Sequence, residues 1–108
     1  MNGRIVRSRR SGGDLAWIYH TIGQNNERAA DRFLTEAEKT FRRLASMPGI
    51  GELFDSLDPD LGQIRRSLIS KHKNYVVYYA PIEGGIRVLR VIHSAREPED
   101  LVGTEDFE

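Results

Sequence analysis

The sequence predicts an α+β domain with the order β-α-α-β-β-β, in which an antiparallel helix hairpin packs on a small, twisted, mainly antiparallel sheet. Two segments between residues 14 and 47 carry apolar residues at helical spacing. Three segments between residues 64 and 96 are rich in β-branched and aromatic residues and are separated by turn residues. A length of 108 residues fits a single domain, 1–108, whose residues 97–108 are expected to form a C-terminal arm.

Composition excludes several classes of protein. The formal net charge is zero, so no whole-molecule field draws the chain to nucleic acid, and no direct stable nucleic-acid binding is expected. There is no cysteine, hence no disulfide framework. No apolar run approaches the roughly 18 residues of a membrane span, which predicts a cytoplasmic protein without membrane contact. The three histidines lack metal-ligand spacing, and neither a metal nor another cofactor is expected.

The first predicted strand covers residues 4–10, where Ile5 and Val6 stand among arginines that suit an edge position. The Ser11-Gly12-Gly13 sequence is expected to end this strand, and Asp14 to cap the following helix. Residues spaced i, i+3, i+4 and i+7 give that helix an apolar face formed by Leu15, Ile18, Tyr19 and Ile22. Trp17 lies off this face.

The second helix is the most strongly periodic segment. Asn25 or Asn26 is expected to cap it, and Met47-Pro48-Gly49 to end it. Some 21 residues at about 1.5 Å each give roughly 30 Å, enough to cross a small sheet. Its apolar face comprises Ala30, Phe33, Leu34, Ala37, Phe41, Leu44 and Ala45.

The remaining strands are predicted over residues 64–70, 75–80 and 86–96, after a connector at 50–62. Residues 71–74 are expected to form a hairpin loop, and Glu83-Gly84-Gly85 a second turn. The last strand is apolar on both faces, so it is predicted to be central in the sheet, with its carboxyl end at the functional surface. Strict alternation places Ile86, Val88, Arg90 and Ile92 on one face and Arg87, Leu89, Val91 and His93 on the other.

Five phrases along the chain resemble the ParE/RelE superfamily of bacterial toxin–antitoxin modules. They span nearly the whole chain and occur in the order found in that family. They are Asp14-Leu15 to Ile22-Gly23, Ala29-Ala30-Asp31-Arg32-Phe33, Leu44 to Gly51, Tyr75-Val76-Val77-Tyr78-Tyr79, and Arg90 to Arg96. The closest branch is ParE, the plasmid-stabilisation toxins.

The resemblance implies two different activities for the two branches. RelE-like toxins cleave messenger RNA on the ribosome, whereas ParE-like toxins inhibit DNA gyrase by binding. At two positions where the RelE pattern has a cation and a tyrosine, this chain has Val76 and Val102. A valine side chain cannot transfer a proton, and it carries no charge that could stabilise a phosphate. The resemblance therefore favours a gyrase inhibitor over an endoribonuclease, and a decayed member that only binds its antitoxin is a third hypothesis.

Site residues are predicted at the end of the last strand. Arg90, His93 and Arg96 are expected to bind the target; if the chain is a nuclease, the catalytic set would be Arg65, Lys73, His93 and Arg96. The alternatives are a His93 bonded to backbone or to Glu97 or Glu99, and an Arg96 paired with the acidic tail. A further basic run is either a nucleic-acid-facing patch or a solvated edge: Arg65, Arg66, Lys71, His72 and Lys73. Three strand tyrosines either stack on bases or pack in the core: Tyr75, Tyr78 and Tyr79.

The first helix is expected to bind the antitoxin. An exposed tryptophan is a common anchor for a partner, and the alternative is that Trp17 packs under the N-terminal arm. In this superfamily the antitoxin's C-terminal segment folds onto the toxin, which implies a ParD-like partner and a hetero-oligomer. The predicted antitoxin-binding residues are Leu15, Trp17, Ile18, Tyr19 and Ile22.

Overall fold

A computed structural model describes residues 3–54 and 62–96. The two helices pack on a five-stranded sheet with the strand order β1-β5-β4-β3-β2. Strand β1 runs parallel to β5, and the other neighbours are antiparallel. The elements in chain order are β1 (Arg4–Arg7), α1 (Arg9–Gly23), α2 (Glu27–Ser46), one 3-10 turn (Pro48–Ile50), β2 (Glu52–Phe54), β3 (Ile64–Ile69), β4 (His72–Ile82) and β5 (Gly85–His93).

This architecture confirms the predicted α+β fold and its order. The short strand β2 is an addition, since it lies in the segment predicted as a connector. The predicted C-terminal arm at 97–108 lies outside the described residues. Neither helix in the described ranges is long and apolar enough to cross a membrane.

Helix α1 starts earlier than predicted. It begins at Arg9, and Ser8 caps it by accepting a hydrogen bond from the Ser11 amide at 3.0 Å. The Gly12-Gly13 pair therefore lies inside the helix, and the expectation that it ends a strand is wrong. So is the expectation that Asp14 caps the helix, because its carboxylate is bonded to β5 instead.

Helix α2 begins where it was predicted to begin. Asn26 is the cap, and its side chain accepts a hydrogen bond from the Ala29 amide at 3.0 Å. The two helices are joined by only three residues, Gln24 to Asn26, so they form the predicted antiparallel hairpin. The Tyr19 hydroxyl donates to the Asp31 carboxylate at 2.9 Å and ties the hairpin together.

Two tight turns join β3 to β4 and β4 to β5. Ser70-Lys71 connects β3 to β4, with Lys71 at φ 63°, so the predicted four-residue loop at 71–74 is wrong. Glu83-Gly84 connects β4 to β5, and Gly84 has φ 81°, a conformation that glycine adopts without steric cost. Strand β1 lies at the edge as predicted, whereas the middle strand is β4 and not β5.

A bulge in β5 changes which residues share a face. Tyr78 pairs with Arg90 and Tyr79 with Val88, so Leu89 is an extra residue on β5. The strict alternation predicted for this strand is therefore wrong. Val88 and Val91 lie together in the core under the helices, and Leu89 lies with Ile92 in a second cluster, which also contains Ile64, Val76, Tyr78 and Ala80.

The main core lies between the helix hairpin and the sheet. Phe33, Phe41 and Leu44 of α2 are fully buried against Val77 and Tyr79 of the sheet. The Tyr79 hydroxyl donates to the Pro48 carbonyl at 2.7 Å and accepts from the Gly51 amide at 2.9 Å. This hydroxyl fixes the chain that leaves α2 and directs it into β2.

Candidate functional site

A surface groove of about 500 Å³ lies between α1 and the ends of β4 and β5. Its walls are apolar for the most part, with polar groups at the two ends. Helix α1 contributes one wall, and β4, β5 and the turn after β5 contribute the other. The lining residues are Asp14, Trp17, Ile18 and Thr21 from α1, Tyr75 from β4, Val91, Ile92 and His93 from β5, and Arg96.

One lining residue of the groove, Asp14, belongs to a hydrogen-bonded ion pair. The Asp14 carboxylate accepts from the Arg90 guanidinium at 2.7 and 2.9 Å and from the Val91 amide at 2.9 Å. Both side chains are only 15% exposed. The charge of Asp14 is therefore balanced within the protein, and Arg90, predicted to bind the target, lies in this internal pair.

One end of the groove carries two exposed basic side chains, His93 and Arg96. The His93 ring packs edge-on against Tyr75, with the ring centroids 5.5 Å apart. Its Nδ1 accepts a hydrogen bond from the Ala95 amide at 3.0 Å. This bond corresponds to the backbone alternative considered for His93, and it leaves Nε2–H of the neutral ring as a donor. The acidic residues Glu97 and Glu99 lie outside the described ranges.

The structure does not bring together the four residues of the hypothetical nuclease set. His93 pairs with Tyr75 and Arg65 with Tyr79. These two partners are four positions apart on β4, a distance of about 13 Å along the strand. The Arg65 guanidinium donates instead to Gln63 and to the Gly51 carbonyl. Lys73 is exposed near the start of β4. Only His93 and Arg96 line the groove.

The five residues predicted to bind the antitoxin differ in how exposed they are. Leu15 and Ile18 are buried in the main core, and Ile22 is partly buried against it. Tyr19 is bonded to Asp31, and that hydrogen bond raises the pKa of the Tyr19 hydroxyl. Trp17 is 66% exposed, so the alternative in which it packs under the N-terminal arm does not apply.

The basic run on β3 and the following turn is partly paired. Arg66 is bonded to Glu52, and Lys71 lies 3.9 Å from the Glu36 carboxylate. His72 packs edge-on against Phe33. These contacts agree with the solvated-edge alternative more than with a free nucleic-acid surface.

The three strand tyrosines are mostly internal. Tyr78 is 4% exposed and Tyr79 is fully buried, so neither ring is available to stack on bases. Tyr75 is partly buried and lies in the groove wall. Val76, at the position of the missing cation, is buried in the second cluster.

Sequence reasoning did not identify Asp14 and Thr21 as groove residues. A signal was present, since Asp14, Trp17 and Thr21 recur at intervals of three and four residues and so share a helix face next to the core-facing one. Val91 was recognised as a strand residue, but the bulge that turns it towards α1 has no clear mark in the sequence.

Comparison with known protein families shows which family the chain resembles. The family model described as the ParE toxin of the type II toxin–antitoxin system, parDE, matches residues 5–98. This range includes both helices, every described strand residue except Arg4, and every groove residue. A search of curated proteins finds no similar sequence. Because the family model spans most of the 108 residues, the chain belongs to the ParE toxin family of type II toxin–antitoxin systems.

Proposed function

We propose that this toxin inhibits DNA gyrase by binding it, that a ParD-like antitoxin neutralises it, and that the module stabilises a plasmid. Membership of the ParE toxin family supplies the class, a type II toxin with an antitoxin partner. The proposal adds the target and the kind of antitoxin. It also implies a cytoplasmic protein that forms a hetero-oligomer with its antitoxin, since gyrase acts inside the cell.

The choice of gyrase as the target rests on the groove's lack of a complete set of residues for acid–base catalysis of RNA cleavage. Cleavage of RNA by its own 2′-hydroxyl needs a base, an acid and cations at the phosphate. The Nδ1 lone pair of His93 is occupied by the Ala95 amide, so this ring has no free lone pair to act as a base in its neutral form. Arg65 donates to Gln63 and Gly51, away from the groove.

The remaining groove residues suit binding. Trp17, Tyr75 and Arg96 are the residue types that most often dominate protein interfaces. We therefore assign His93 and Arg96 to target or partner recognition, and we assign Arg90 to supporting this surface through Asp14.

A direct comparison of the two activities tests the proposal. Purified toxin is expected to inhibit DNA supercoiling by gyrase and to leave messenger RNA intact in a translation reaction. In cells, induction is expected to trigger the DNA-damage response before any loss of messenger RNA. Cleavage of messenger RNA that is lost in His93→Ala would contradict the proposal and establish an endoribonuclease. Normal growth on induction without the antitoxin would identify a chain that only binds its antitoxin.

A further inference from the structure

We propose that the solvent-facing side of α2 binds the phosphate backbone of double-stranded DNA. This surface, the basic stripe, is formed by five exposed side chains: Arg28, Arg32, Lys39, Arg42 and Arg43. The choice of DNA rests on the proposed function, because gyrase holds DNA. The inference adds a second binding surface, since the described lining of the groove includes no residue of α2.

The members of the basic stripe follow one line along the helix. They recur at intervals of three, four and seven residues, so they lie on one side of α2, opposite the side that Phe41 buries against the sheet. From Arg28 to Arg43 the helix rises by about 22 Å, at roughly 1.5 Å per residue. Thr35 and Ser46 lie on the same line and are also exposed. The side is therefore basic and polar along almost its whole length.

The acidic residues of α2 leave the arginines of the stripe without a salt bridge in the described part of the chain. Glu38 stands four residues before Arg42, a spacing that favours an ion pair, but its carboxylate accepts two hydrogen bonds from Arg7. Glu36, whose side chain is only 11% exposed, lies 3.6 Å from Lys39. The remaining acidic residues of the helix stand in its first two turns and are Glu27 and Asp31.

Repulsion within the stripe is typical of a surface that binds an anion. Arg28 and Arg32 stand four residues apart, as do Lys39 and Arg43, and like charges at this spacing destabilise a helix. A helix side that only faces solvent usually carries charges of both signs, because opposite charges at the same spacing stabilise it. A bound polyanion would remove the repulsion between the stripe side chains.

The net charge of zero does not oppose this inference. All 16 lysines and arginines lie within residues 3–54 and 62–96, together with seven of the 16 acidic residues, so this part of the chain carries a net charge of +9 with neutral histidines. The other nine acidic residues belong to 55–61 and 97–108, and their carboxylates can compete with phosphate for the stripe. Binding is therefore expected to be weak at physiological salt, which agrees with the expectation of no stable nucleic-acid complex.

Duplex DNA suits the stripe better than a membrane does. DNA carries one negative charge per about 1.7 Å of its axis, so a duplex beside α2 supplies more phosphates than the stripe has cations. Four of the five cations are arginines, whose guanidinium group binds two phosphate oxygens at once. A helix that binds a membrane surface needs apolar side chains beside its cations, whereas this line has Thr35 and Ser46.

Fluorescence anisotropy with full-length toxin and a labelled DNA duplex of about 20 base pairs tests the contact without gyrase. The logarithm of the affinity is expected to fall with the logarithm of the salt concentration with a slope of about −3 to −4, since each phosphate contact contributes about −0.9. Arg32→Gln combined with Arg43→Gln is expected to weaken binding at low salt by about tenfold or more and to reduce the slope by about 2. Lysine at both positions is expected to retain the slope.

The matched control is Lys73→Gln combined with Arg87→Gln, which removes two exposed cations from the strands and is expected to change the slope by less than about 1. A second toxin, in which amides replace the six acidic residues of 97–108, is expected to bind at least as tightly as the wild type and to depend equally on Arg32 and Arg43. Equal losses from the stripe and control variants would mean a diffuse charge effect and would overturn the stripe assignment. So would a lack of binding by both the wild type and the amide variant.

Two further probes distinguish DNA from other polyanions. Tighter binding of an RNA duplex of the same length would assign the stripe to RNA, and displacement of DNA by polyglutamate as readily as by unlabelled duplex would assign it to an acidic protein. Either result would overturn the choice of DNA. Gyrase assays decide the proposed function separately: DNA binding without gyrase inhibition would reject only the target, and gyrase inhibition without DNA binding would reject only the stripe.

Discussion

At the scale of single residues, Asp14 is the side chain on which the site most depends. It lies inside α1, and it accepts hydrogen bonds from a guanidinium and a backbone amide of β5. A carboxylate and a guanidinium that are both 15% exposed stabilise a fold only while they are paired. Asp14 therefore ties α1 to β5 within the lining of the groove.

Replacement of this residue is expected to lower stability. Asp14→Ala removes the carboxylate that accepts hydrogen bonds from the Arg90 guanidinium and from the Val91 amide, so we expect a loss of about 2–3 kcal/mol in the free energy of unfolding. The control is Glu52→Ala, which breaks a solvent-exposed pair with Arg66 and is expected to cost at most about 1 kcal/mol. Urea unfolding of both variants provides the measurement. Equal losses would show that the Asp14 pair contributes no more than a surface ion pair.

A second residue-scale prediction concerns pH. Hydrogen bonds from Arg7 lower the pKa of Glu38 below its ordinary value of 4.5. A lowered pKa in the folded state means that the stabilisation is present above pH 4.5 and is lost as the pH falls through the folded value. Both side chains are 38% exposed, so the contribution at pH 7 is expected to stay below about 1 kcal/mol.

The measurement for this pair compares Glu38→Gln with the wild type by urea unfolding at neutral and acidic pH. The wild type is expected to be more stable at pH 7, and the two proteins are expected to converge once Glu38 is protonated. A difference that grows towards low pH would mean that another acidic group accounts for it.

At the scale of elements, the start of α1 and the bulge in β5 form one unit. The Ser8 hydroxyl caps α1 and also donates to the Leu89 carbonyl at 2.7 Å. Asp14 accepts from the Val91 amide two residues further along β5. The backbone groups around the bulge thus find partners on α1, which explains why a helix can begin at Arg9 and continue through two glycines.

The glycines in this helix give an element-scale prediction. Gly12 and Gly13 have open space where a Cβ would stand. Gly12→Ala and Gly13→Ala are each expected to stabilise the fold by about 0.5–1 kcal/mol, because alanine restricts the unfolded chain and favours helix. In contrast, a Cβ on Gly85 meets the Arg4 backbone where β1 pairs with β5, so Gly85→Ala is expected to destabilise.

Thermal unfolding checks this prediction, at roughly 4–8 °C per kcal/mol for a domain of about this size. A fall in melting temperature for Gly12→Ala or Gly13→Ala would mean that this segment of α1 needs the freedom of glycine. A neutral Gly85→Ala would show that β1 can shift away from β5 at little cost.

The elements that were predicted and those that were missed differ in the range of the interactions that define them. The apolar face of α2 repeats every three or four residues, so the sequence alone specifies the helix and its buried side. The Asn26 cap is equally local. The bulge at Leu89 and the early start of α1 depend on Ser8–Leu89 and Asp14–Val91 bonds that span 81 and 77 positions. A local sequence pattern does not predict hydrogen bonds between residues so far apart in the chain.

At the scale of the whole molecule, the site was predictable only in part, because the sequence shows residue types but not long-range contacts. Trp17, His93 and Arg96 stood out because their residue types suit recognition, and the fold places all three around one groove. Arg65 was placed in the same hypothetical set, but register alone moves it about 13 Å along the sheet. The residue types in a site are visible in the sequence, whereas their grouping requires strand order and register.

The groove combines an end that folding holds fixed with an end that solvent leaves open. Changes at Asp14 or Arg90 damage the protein itself, whereas Trp17, Thr21 and Arg96 stand at the surface or near it. Exchange of side chains at the open end can therefore change what the groove accepts without disturbing the fold. Two related chains would be able to differ there while the scaffold beneath stays the same.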